Sequence, residues 1–459
     1  MTDLQVGISV RDITPAFPVW LHGYGARTRR SSGTAEPIEL ACLAVQDSQQ
    51  TVLLITCDMI GIKQHVCERL YERIEARSGV AFPNTLISCS HTHFAPGLHA
   101  TTFASPELGI VEPDERYVEA FETRLLEAVD EALAQLRPAT LQAARVSVPN
   151  VVFNRRTITS DNRVTTNYLY PEDPTPYTFR AIDPELTVLR FVGSMGPIAA
   201  LMNFGCHPVT GTETVPDGHY CVSADYPWYA RRTLADAYHC PVAFCLGAAG
   251  DAVPINRQGN CRERIGSILG NSAVLAERTF VSEESPDLWT HCEKVPAKVI
   301  MPVTSADPES ACHEAREACL ALSAEGVSGE KRRAATEAFQ RTATEWMRAR
   351  LYPENAFDIP VQCVGIGGTT LVALPFEVLS EISLKLKDEI PGSVLVSCAG
   401  GYQGYLPLRY EYERGGYEAS AESTHFEPGT ADRLLDTMID TLKHRRNAPG
   451  PAAPSALPA

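Results

Sequence analysis

Apolar and polar positions along the chain follow two periods, one typical of β-strands and one typical of α-helices. Short continuous apolar runs predict buried strands, and between them apolar residues recur every three or four positions, as in amphipathic helices. The predicted strands are 38–45, 52–57, 86–89, 187–191, 198–204, 242–246, 370–374 and 393–398. The predicted helices are 64–76, 113–136, 264–278 and a final one at 431–444. Because strands and helices alternate throughout, we predict an α/β fold.

Two segments depart from this alternation. Residues 307–350 are rich in Ala, Glu and Arg, which predicts two helices broken near 326–329 that form an insertion on the surface. Residues 447–459 are rich in Pro and Ala, which predicts a disordered tail. We find no internal repeat in the amino-acid sequence.

The charge balance and the apolar runs exclude several classes of protein. The 459 residues include 40 Lys and Arg against 56 Asp and Glu, and a net charge of -16 argues against nucleic-acid binding. The longest apolar runs, such as 52–56, are far too short to cross a bilayer. The N-terminus lacks the pattern of a signal peptide, so we predict a cytoplasmic protein. A homo-oligomer is compatible with this sequence.

The fourteen cysteines are scattered and include no Cys-x-x-Cys pair. Several of them lie inside apolar runs. This distribution predicts reduced thiols in the core rather than a disulfide framework.

The first segment with candidate chemistry is the end of the predicted strand 86–89, which is followed by His91 and His93. Alternate residues of an extended chain share one face, and ligands of α/β proteins bind at the carboxyl ends of strands. Imidazole is a common zinc ligand, so the pair is a candidate chelate. The alternative is two surface or capping histidines.

A second predicted strand, 198–204, leads in the same way to His207 and a proline. Adjacent parallel strands bring their carboxyl ends together, so we expect His207 to share a site with His91 and His93. Taken alone, His207 is more typical of a loop histidine whose hydrogen bonds are satisfied.

Acidic and phenolic residues follow other predicted strands. Asp58 and Asp251 are each interpreted as either a residue that orients a ligand or a structural cap. Glu377 follows an apolar strand and a proline. It is interpreted either as a metal ligand or as a carboxylate that interacts with a helix dipole. In isolation, Tyr405 and Tyr417 would be packed phenols with satisfied hydroxyls.

Taken together and in this order, these segments resemble the neutral, non-lysosomal ceramidase family of zinc amidases. The family's His-Thr-His-Ser-Gly-Pro stretch is similar to residues 91–96, its His-Pro element to 207–208, and its Pro-Gly-Glu element to 375–377. Its tyrosines three apart resemble Tyr402 and Tyr405, and a further tyrosine twelve residues on matches Tyr417. The resemblance spans about residues 5–430.

The resemblance implies a set of site residues. One zinc ion per chain would be held by His91, His207, Glu377 and Tyr405. The residues that polarise the substrate would be His93, Arg155 (in Phe153-Asn154-Arg155-Arg156) and Tyr417.

Three departures from the family pattern limit what the resemblance implies. Val253 stands where the family has a serine, so a covalent mechanism through that position is excluded. Phe94 and Ala95 replace Ser-Gly after the paired histidines and change the pocket wall. We also expect neither the leader nor the C-terminal immunoglobulin-like domain of the secreted enzymes, which leaves ceramide open as the substrate.

The predicted function is a zinc-dependent hydrolase that cleaves an amide bond of a small or amphiphilic N-acyl substrate by attack of zinc-bound hydroxide. An esterase or lactonase would use the same site, and a metal-stabilised binding protein without catalysis is the third alternative. Because the candidate ligands run from His91 to Tyr405 and must meet, we predict one large, layered, mixed-sheet catalytic domain over residues 1–446. The helical insertion lies within this domain.

Overall fold

The computed structural model describes residues 4–103, 105–211, 216–283, 286–300, 303, 305–327 and 329–447. Three β-sheets with helices against them form the centre of the molecule, which confirms the predicted α/β class. Of the predicted tail, residue 447 ends the last helix and the remaining residues lie outside the described part.

Each sheet mixes antiparallel and parallel pairs. In spatial order, the first sheet consists of Thr85–Cys89, Thr51–Cys57, Glu39–Gln46, Gln5–Asp12 and Arg137–Pro138. The second consists of Val242–Leu246, Gly196–Phe204, Glu185–Gly193, Thr140–Ser147 and Val281–Glu283. The third consists of Ser393–Val396, Thr369–Ala373, Ala356–Ile366 and Leu288–Lys298.

The same connectivity occurs three times along the chain, although no repeat is visible in the amino-acid sequence. In each sheet, the first three strands in chain order pair antiparallel, and a crossover helix then leads to a fourth strand parallel to the third. A further helix follows the fourth strand and returns to the first or second strand of its sheet. The crossover helices are Gln64–Ser78, Tyr226–Tyr238 and Ser380–Glu389, and the returning helices are Glu115–Ala134, Cys261–Leu275 and Thr430–Asn447.

Central strands such as Glu39–Gln46 and Val242–Leu246 are apolar along their length because both of their faces are covered. In Glu39–Gln46, Leu40 and Cys42 face the helices, whereas Ala41 and Leu43 face a core to which all three sheets contribute. This alternation packs sheet against sheet on one side and helix against sheet on the other.

The insertion consists of Pro308–Ala324 and Glu330–Leu351, which connect the first two strands of the third sheet. Five further strand pairs are short: Gly33–Thr34 with Cys221–Val222, Thr101–Thr102 with Ile110–Val111, Val152–Asn154 with Ala252–Pro254, Arg156–Ile158 with Val164–Thr166, and Glu377–Val378 with Tyr405–Leu406. Glu411–Arg414 is a single helical turn, and Pro149–Val151, Gly218–Tyr220, Ala276–Thr279 and Tyr417–Ala419 are 3-10 turns.

One sequence-based expectation about the strands is wrong. The strands that lead to His91 and His207 are not adjacent parallel strands of one sheet, because Thr85–Cys89 lies in the first sheet and Gly196–Phe204 in the second. Sheet-on-sheet packing, rather than strand pairing, brings their ends together.

All fourteen cysteines lie outside disulfide bonds, and all but Cys292 are buried. Within the described ranges, every helix is too short or too polar to cross a membrane.

Candidate active site

Loops from all three sheets meet at one point. His91 and His93 follow the fourth strand of the first sheet, His207 follows the third strand of the second sheet, and Glu377 follows the third strand of the third sheet. Each lies past the carboxyl end of its strand, where α/β proteins bind ligands. The centre of the site is therefore shared by three parts of the chain.

The nitrogen and oxygen atoms of these side chains lie close together. Glu377 Oε2 is 3.2 Å from His91 Nε2 and 3.1 Å from His207 Nε2. His93 Nε2 is 3.4 Å from His91 Nε2, and the three histidines offer ligand atoms that all lie within 4.8 Å of one another. This group can hold a metal ion.

The backbone partners of two imidazoles show which ring nitrogen carries the lone pair. His91 Nδ1 lies 2.5 Å from the carbonyl oxygen of Ile60, and His207 Nδ1 is bonded to the carbonyl oxygen of Ala249. A carbonyl oxygen only accepts, so Nδ1 carries the proton and Nε2 presents a lone pair. Two lone pairs and the Glu377 carboxylate thus face one another, an arrangement that a cation stabilises. Two imidazoles and a carboxylate are a donor set that fits a divalent metal such as zinc.

The backbone of His91 is also constrained. Its φ of 66° lies in the left-handed region, which is uncommon for residues other than glycine. The His91 N–H donates to the Met59 carbonyl oxygen at 2.8 Å, which holds this turn in place. Strained backbone of this kind is typical of functional sites.

His93 differs from the other two histidines. Its Nδ1 is buried and has no hydrogen-bond partner in the described part of the chain, and its ring lies against Gly23, whose φ is 100°. A Cβ atom at Gly23 would lie 2.5 Å from His93 Cγ, so only glycine fits there. Burial, followed by the facing His91 and His207, lowers the pKa of His93 well below its ordinary value. The ring is therefore neutral at pH 7.

Glu377 is oriented by a phenol. Tyr402 donates to Glu377 Oε1 at 2.6 Å, which leaves Oε2 facing the histidines. Burial alone would raise the pKa of Glu377. The ionised carboxylate therefore needs a positive charge beside Oε2, which the lone pairs of His91 and His207 do not provide and which a bound metal ion would provide.

The remaining predicted residues lie beside this group. The Tyr405 ring stacks on His207 with centroids 6.5 Å apart, and the Tyr417 ring lies 5.5 Å from that of Tyr405. Arg155 Nη2 donates to the Tyr405 hydroxyl at 2.9 Å. Burial raises the pKa of Tyr405 well above its ordinary value, so the phenol is protonated. All seven predicted site residues thus form one cluster, with the Tyr405 hydroxyl bound by Arg155.

The two aspartates whose roles were open are bound by other groups. Asp58 makes a bidentate ion pair with Arg231 at 2.9 and 2.6 Å. Asp251 accepts from the backbone N–H of Ser380 and from Asn154 Nδ2, both at 2.8 Å, and its carbonyl oxygen accepts from the Arg155 N–H. Asp58 therefore stabilises the fold, and Asp251 anchors the backbone of Arg155.

Val253 lies in the short strand Ala252–Pro254 opposite Phe153, and its side chain is fully buried. Phe94 and Ala95 are also buried, and the Phe94 ring supports that of Tyr24 at a centroid distance of 5.6 Å.

Two contributors to the site are absent from the predicted set. Tyr402 orients Glu377, and Glu418 binds Arg155 Nε at 2.6 Å. A signal for the second exists in the sequence, because the adjacent arginines Arg155 and Arg156 follow an apolar segment and buried arginines require carboxylate partners. Nothing in that signal identifies which of the 56 acidic residues provides them.

Comparisons with known proteins agree with this geometry. A family profile described as "Neutral/alkaline non-lysosomal ceramidase, N-terminal" matches residues 4–263, which include His91, His93, Arg155 and His207. Neutral ceramidase 2 of Arabidopsis thaliana is 26% identical over 239 residues, which cover 50% of this chain and 30% of the relative. The neutral ceramidase of Pseudomonas aeruginosa is 24% identical over 231 residues, which cover 49% and 32%. The chain thus matches about a third of the length of these curated relatives.

Solved structures match over nearly the whole chain. The crystal structure of neutral ceramidase from Pseudomonas aeruginosa has a TM-score of 0.71 at 19% identity, covering 97% of this chain and 75% of that one. A structure described as ceramidase complexed with C2 has a TM-score of 0.70 at 18% identity, covering 100% of this chain and 77% of that one. At these identities the likeness establishes the fold, including the third sheet beyond the profile match.

Proposed function

Because the chain belongs to the neutral/alkaline non-lysosomal ceramidase family, we propose that it is a zinc-dependent hydrolase that cleaves the amide bond of an N-acyl substrate. The observation that carries this proposal is the convergence of His91 Nε2, His207 Nε2 and Glu377 Oε2 on one point. These three residues would hold one zinc ion per chain, with the Tyr405 hydroxyl as a weaker fourth ligand. Zinc accepts this combination of nitrogen and oxygen donors.

When bound, zinc supplies a Lewis acid that activates water near pH 7 and polarises a carbonyl group. His93 would take up the proton that the attacking water releases, because its ring is neutral and its Nε2 faces the cluster. It would then pass this proton to the leaving amine. An imidazole that lacks a fixed Nδ1 partner suits this role better than a ligand role.

Arg155 and Tyr417 would stabilise the oxyanion that develops on the substrate carbonyl. The Arg155 guanidinium is fixed at two edges by neighbouring side chains, so its N–H groups are oriented before substrate binds. One such donor typically contributes about 3 kcal/mol to the transition state.

An exposed apolar surface beside the site is evidence that the substrate is amphiphilic. Tyr168, Leu169, Tyr170 and Tyr417 are 40–61% exposed, and we name them the aromatic rim. The rings of Tyr168 and Tyr417 lie 6.0 Å apart, and the Arg155 guanidinium carbon lies 5.7 Å from the Tyr168 ring. The apolar part of the substrate would lie on this rim while its amide reaches the histidines.

We also propose that residues 1–446 act as one catalytic domain, since each of its three sheets supplies a side chain to the site. A cytoplasmic location is supported by the fourteen cysteines outside disulfide bonds, which suit a reducing compartment. Fractionation of the source cells, followed by immunodetection, would test the location.

The function is tested on the purified full chain. We expect about one zinc per chain by elemental analysis, loss of turnover after chelation, and recovery when zinc is returned. Amide and ester substrates with the same acyl group, assayed side by side, distinguish an amidase from an esterase or lactonase. Turnover by rigorously metal-free protein would refute the zinc mechanism, and bound zinc without turnover of either substrate would favour the binding-protein alternative.

A further inference from the structure

Arg155 is held from behind by a buried carboxylate. Its Nε donates to Glu418 Oε1 at 2.6 Å, and the other oxygen of Glu418 accepts from Arg156 Nη1 at 2.7 Å. Arg156 and Glu418 are fully buried, and Arg155 is 4% exposed. One carboxylate therefore binds two arginines that are adjacent in the chain.

The alternation of charges continues away from the site. Arg156 Nη2 bonds to Glu411, whose other oxygen forms an ion pair with Arg180 at 2.5 Å. Arg180 in turn pairs with Glu381 at 2.6 Å. These six residues form a continuous row of alternating charges, which we name the charge chain: Arg155, Glu418, Arg156, Glu411, Arg180 and Glu381.

Within this chain, Glu418 alone binds the group that faces the site. Arg155 uses Nε for Glu418 and Nη2 for the Tyr405 hydroxyl, so two edges of its planar guanidinium are fixed. A planar fork bound at two edges has a defined orientation, whereas a fork bound at one edge rotates about its long side chain.

The charge chain also keeps Glu418 in its ionised form. An arginine guanidinium keeps its charge at neutral pH whatever its surroundings. Burial would raise the pKa of Glu418, but Arg155 and Arg156 hold it below its ordinary range. The pair thus remains charged through neutral pH.

We propose that Glu418 is a positioning residue for the reaction, which binds Arg155 Nε and so aims the remaining N–H groups of Arg155 at the substrate carbonyl. This inference rests on the proposed hydrolase function. It assigns Glu418 an effect on transition-state stabilisation that is separate from its effect on folding.

Glu411 provides a matched control for Glu418. Both are almost completely buried, both bind Arg156, and both carry the same charge within the same chain. Glu411 pairs with Arg180, however, and makes no bond to Arg155. A purely structural role would therefore give the two glutamates similar effects.

The test compares Glu418→Gln and Glu411→Gln in the 459-residue chain. Glutamine keeps the shape of the side chain and removes its charge. We expect both variants to unfold at a lower temperature and to retain zinc. Only Glu418→Gln is expected to lower kcat, by tenfold or more, with KM within about twofold, because the lost interaction acts in the transition state.

A double substitution shows whether Glu418 acts through Arg155. In an Arg155→Ala background, Glu418→Gln should cause no further loss of kcat, since the group that it positions is already absent. Equal losses of kcat in Glu418→Gln and Glu411→Gln, or a full additional loss in the Arg155→Ala background, would overturn the inference.

A second readout does not depend on turnover. Crystal structures of the two variants should show the Arg155 guanidinium displaced in Glu418→Gln and unmoved in Glu411→Gln, and an unmoved guanidinium in both would contradict the positioning role. Absence of hydrolysis in the wild-type protein would instead count against the proposed function.

Discussion

At the scale of single residues, the partner of Nδ1 separates the three histidines of the site. His91 and His207 donate from Nδ1 to backbone carbonyl groups, which fixes the ring and makes Nε2 a stronger ligand. Among the described residues, His93 Nδ1 has no such partner, and its Nε2 faces the cluster. This difference suits the separate roles that we propose, with His91 and His207 as metal ligands and His93 as a proton carrier.

If the histidines have these separate roles, substitutions of them should have different effects on zinc binding and turnover. His93→Gln should retain zinc and lose about 10²–10⁴-fold in kcat, the usual contribution of a general acid or base. His207→Gln should lose zinc and turnover together, because a ligand is removed. Elemental analysis and steady-state kinetics distinguish the two. His313→Gln is the control, since His313 is exposed on the helical insertion. Loss of zinc from His93→Gln would contradict this division and would indicate that His93 is a ligand.

Removal of the Tyr402 hydroxyl should lower the affinity of the site for zinc. Tyr402→Phe removes the hydroxyl that orients Glu377 and should weaken zinc binding roughly 10–100-fold, as observed when residues that support metal ligands are removed. Competition with a chromophoric chelator measures this change. Tyr412→Phe is the matched control, because Tyr412 donates to the Phe426 carbonyl oxygen away from the metal cluster. Equal affinities in the two variants would be evidence against an orienting role for Tyr402.

At the scale of elements, the strands that the sequence predicts well are those covered on both faces. Val242–Leu246 is apolar at every position because its two faces contact different cores, and its bounds agree with the prediction. Strands with polar or charged positions, such as Gln5–Asp12 and Thr140–Ser147, lack that signal. Local periodicity records burial, so it is silent where a strand is only partly covered.

The candidate ligands could be proposed from the sequence because their short motifs lie at strand ends and, taken together, resemble those of a known family. The charge chain could not, because Arg155 and Glu418 are 263 positions apart and only the folded chain selects one acid among many. Tyr405 became a candidate ligand through the family resemblance, whereas the hydrogen bond that its hydroxyl accepts from Arg155 depends on side-chain placement, which the sequence does not record.

The crossover helix of the second sheet is tied to the first sheet by a buried ion pair. Arg231 on Tyr226–Tyr238 binds Asp58 at the end of Thr51–Cys57. Asp58→Ala should lower the free energy of unfolding by about 3 kcal/mol, because it leaves a buried arginine short of a partner. Urea denaturation measures this change, and kcat of the folded protein should be unaffected. Asp130→Ala is the control, because it removes only an exposed partner of Arg77 and should have little effect on the free energy of unfolding. Similar losses of this free energy in both variants would contradict a stabilising role for Asp58.

At the scale of the whole molecule, buried neutral histidines make stability depend on pH. Burial, then Arg27 and Lys63, lowers the pKa of His22 to about 4, and burial also lowers the pKa of His99 and His425 well below the ordinary value. In the unfolded chain these rings have ordinary pKa values near 6.5. Between about pH 6.5 and 4 the unfolded state therefore binds more protons, and stability falls as the pH falls.

This titration gives a quantitative expectation for one residue. His22 alone should contribute about 3 kcal/mol of destabilisation between pH 7 and pH 4, from a shift of about 2.5 pKa units. Urea denaturation of metal-free wild-type protein and of His22→Gln at pH 7 and pH 4.5 measures this contribution. The variant should lose less stability than the wild type over this interval, and an identical pH dependence would show that His22 is not responsible.

The threefold connectivity has a consequence for the order of folding. Each sheet is assembled from a nearly continuous stretch of chain, so the three units can form largely from contacts within themselves, yet none of them contains the whole site. In that case His91, His207 and Glu377 would become neighbours only after all three units have docked. Tight binding of a metal ion would therefore be the last step of folding, because the binding site exists only once all three units are in place.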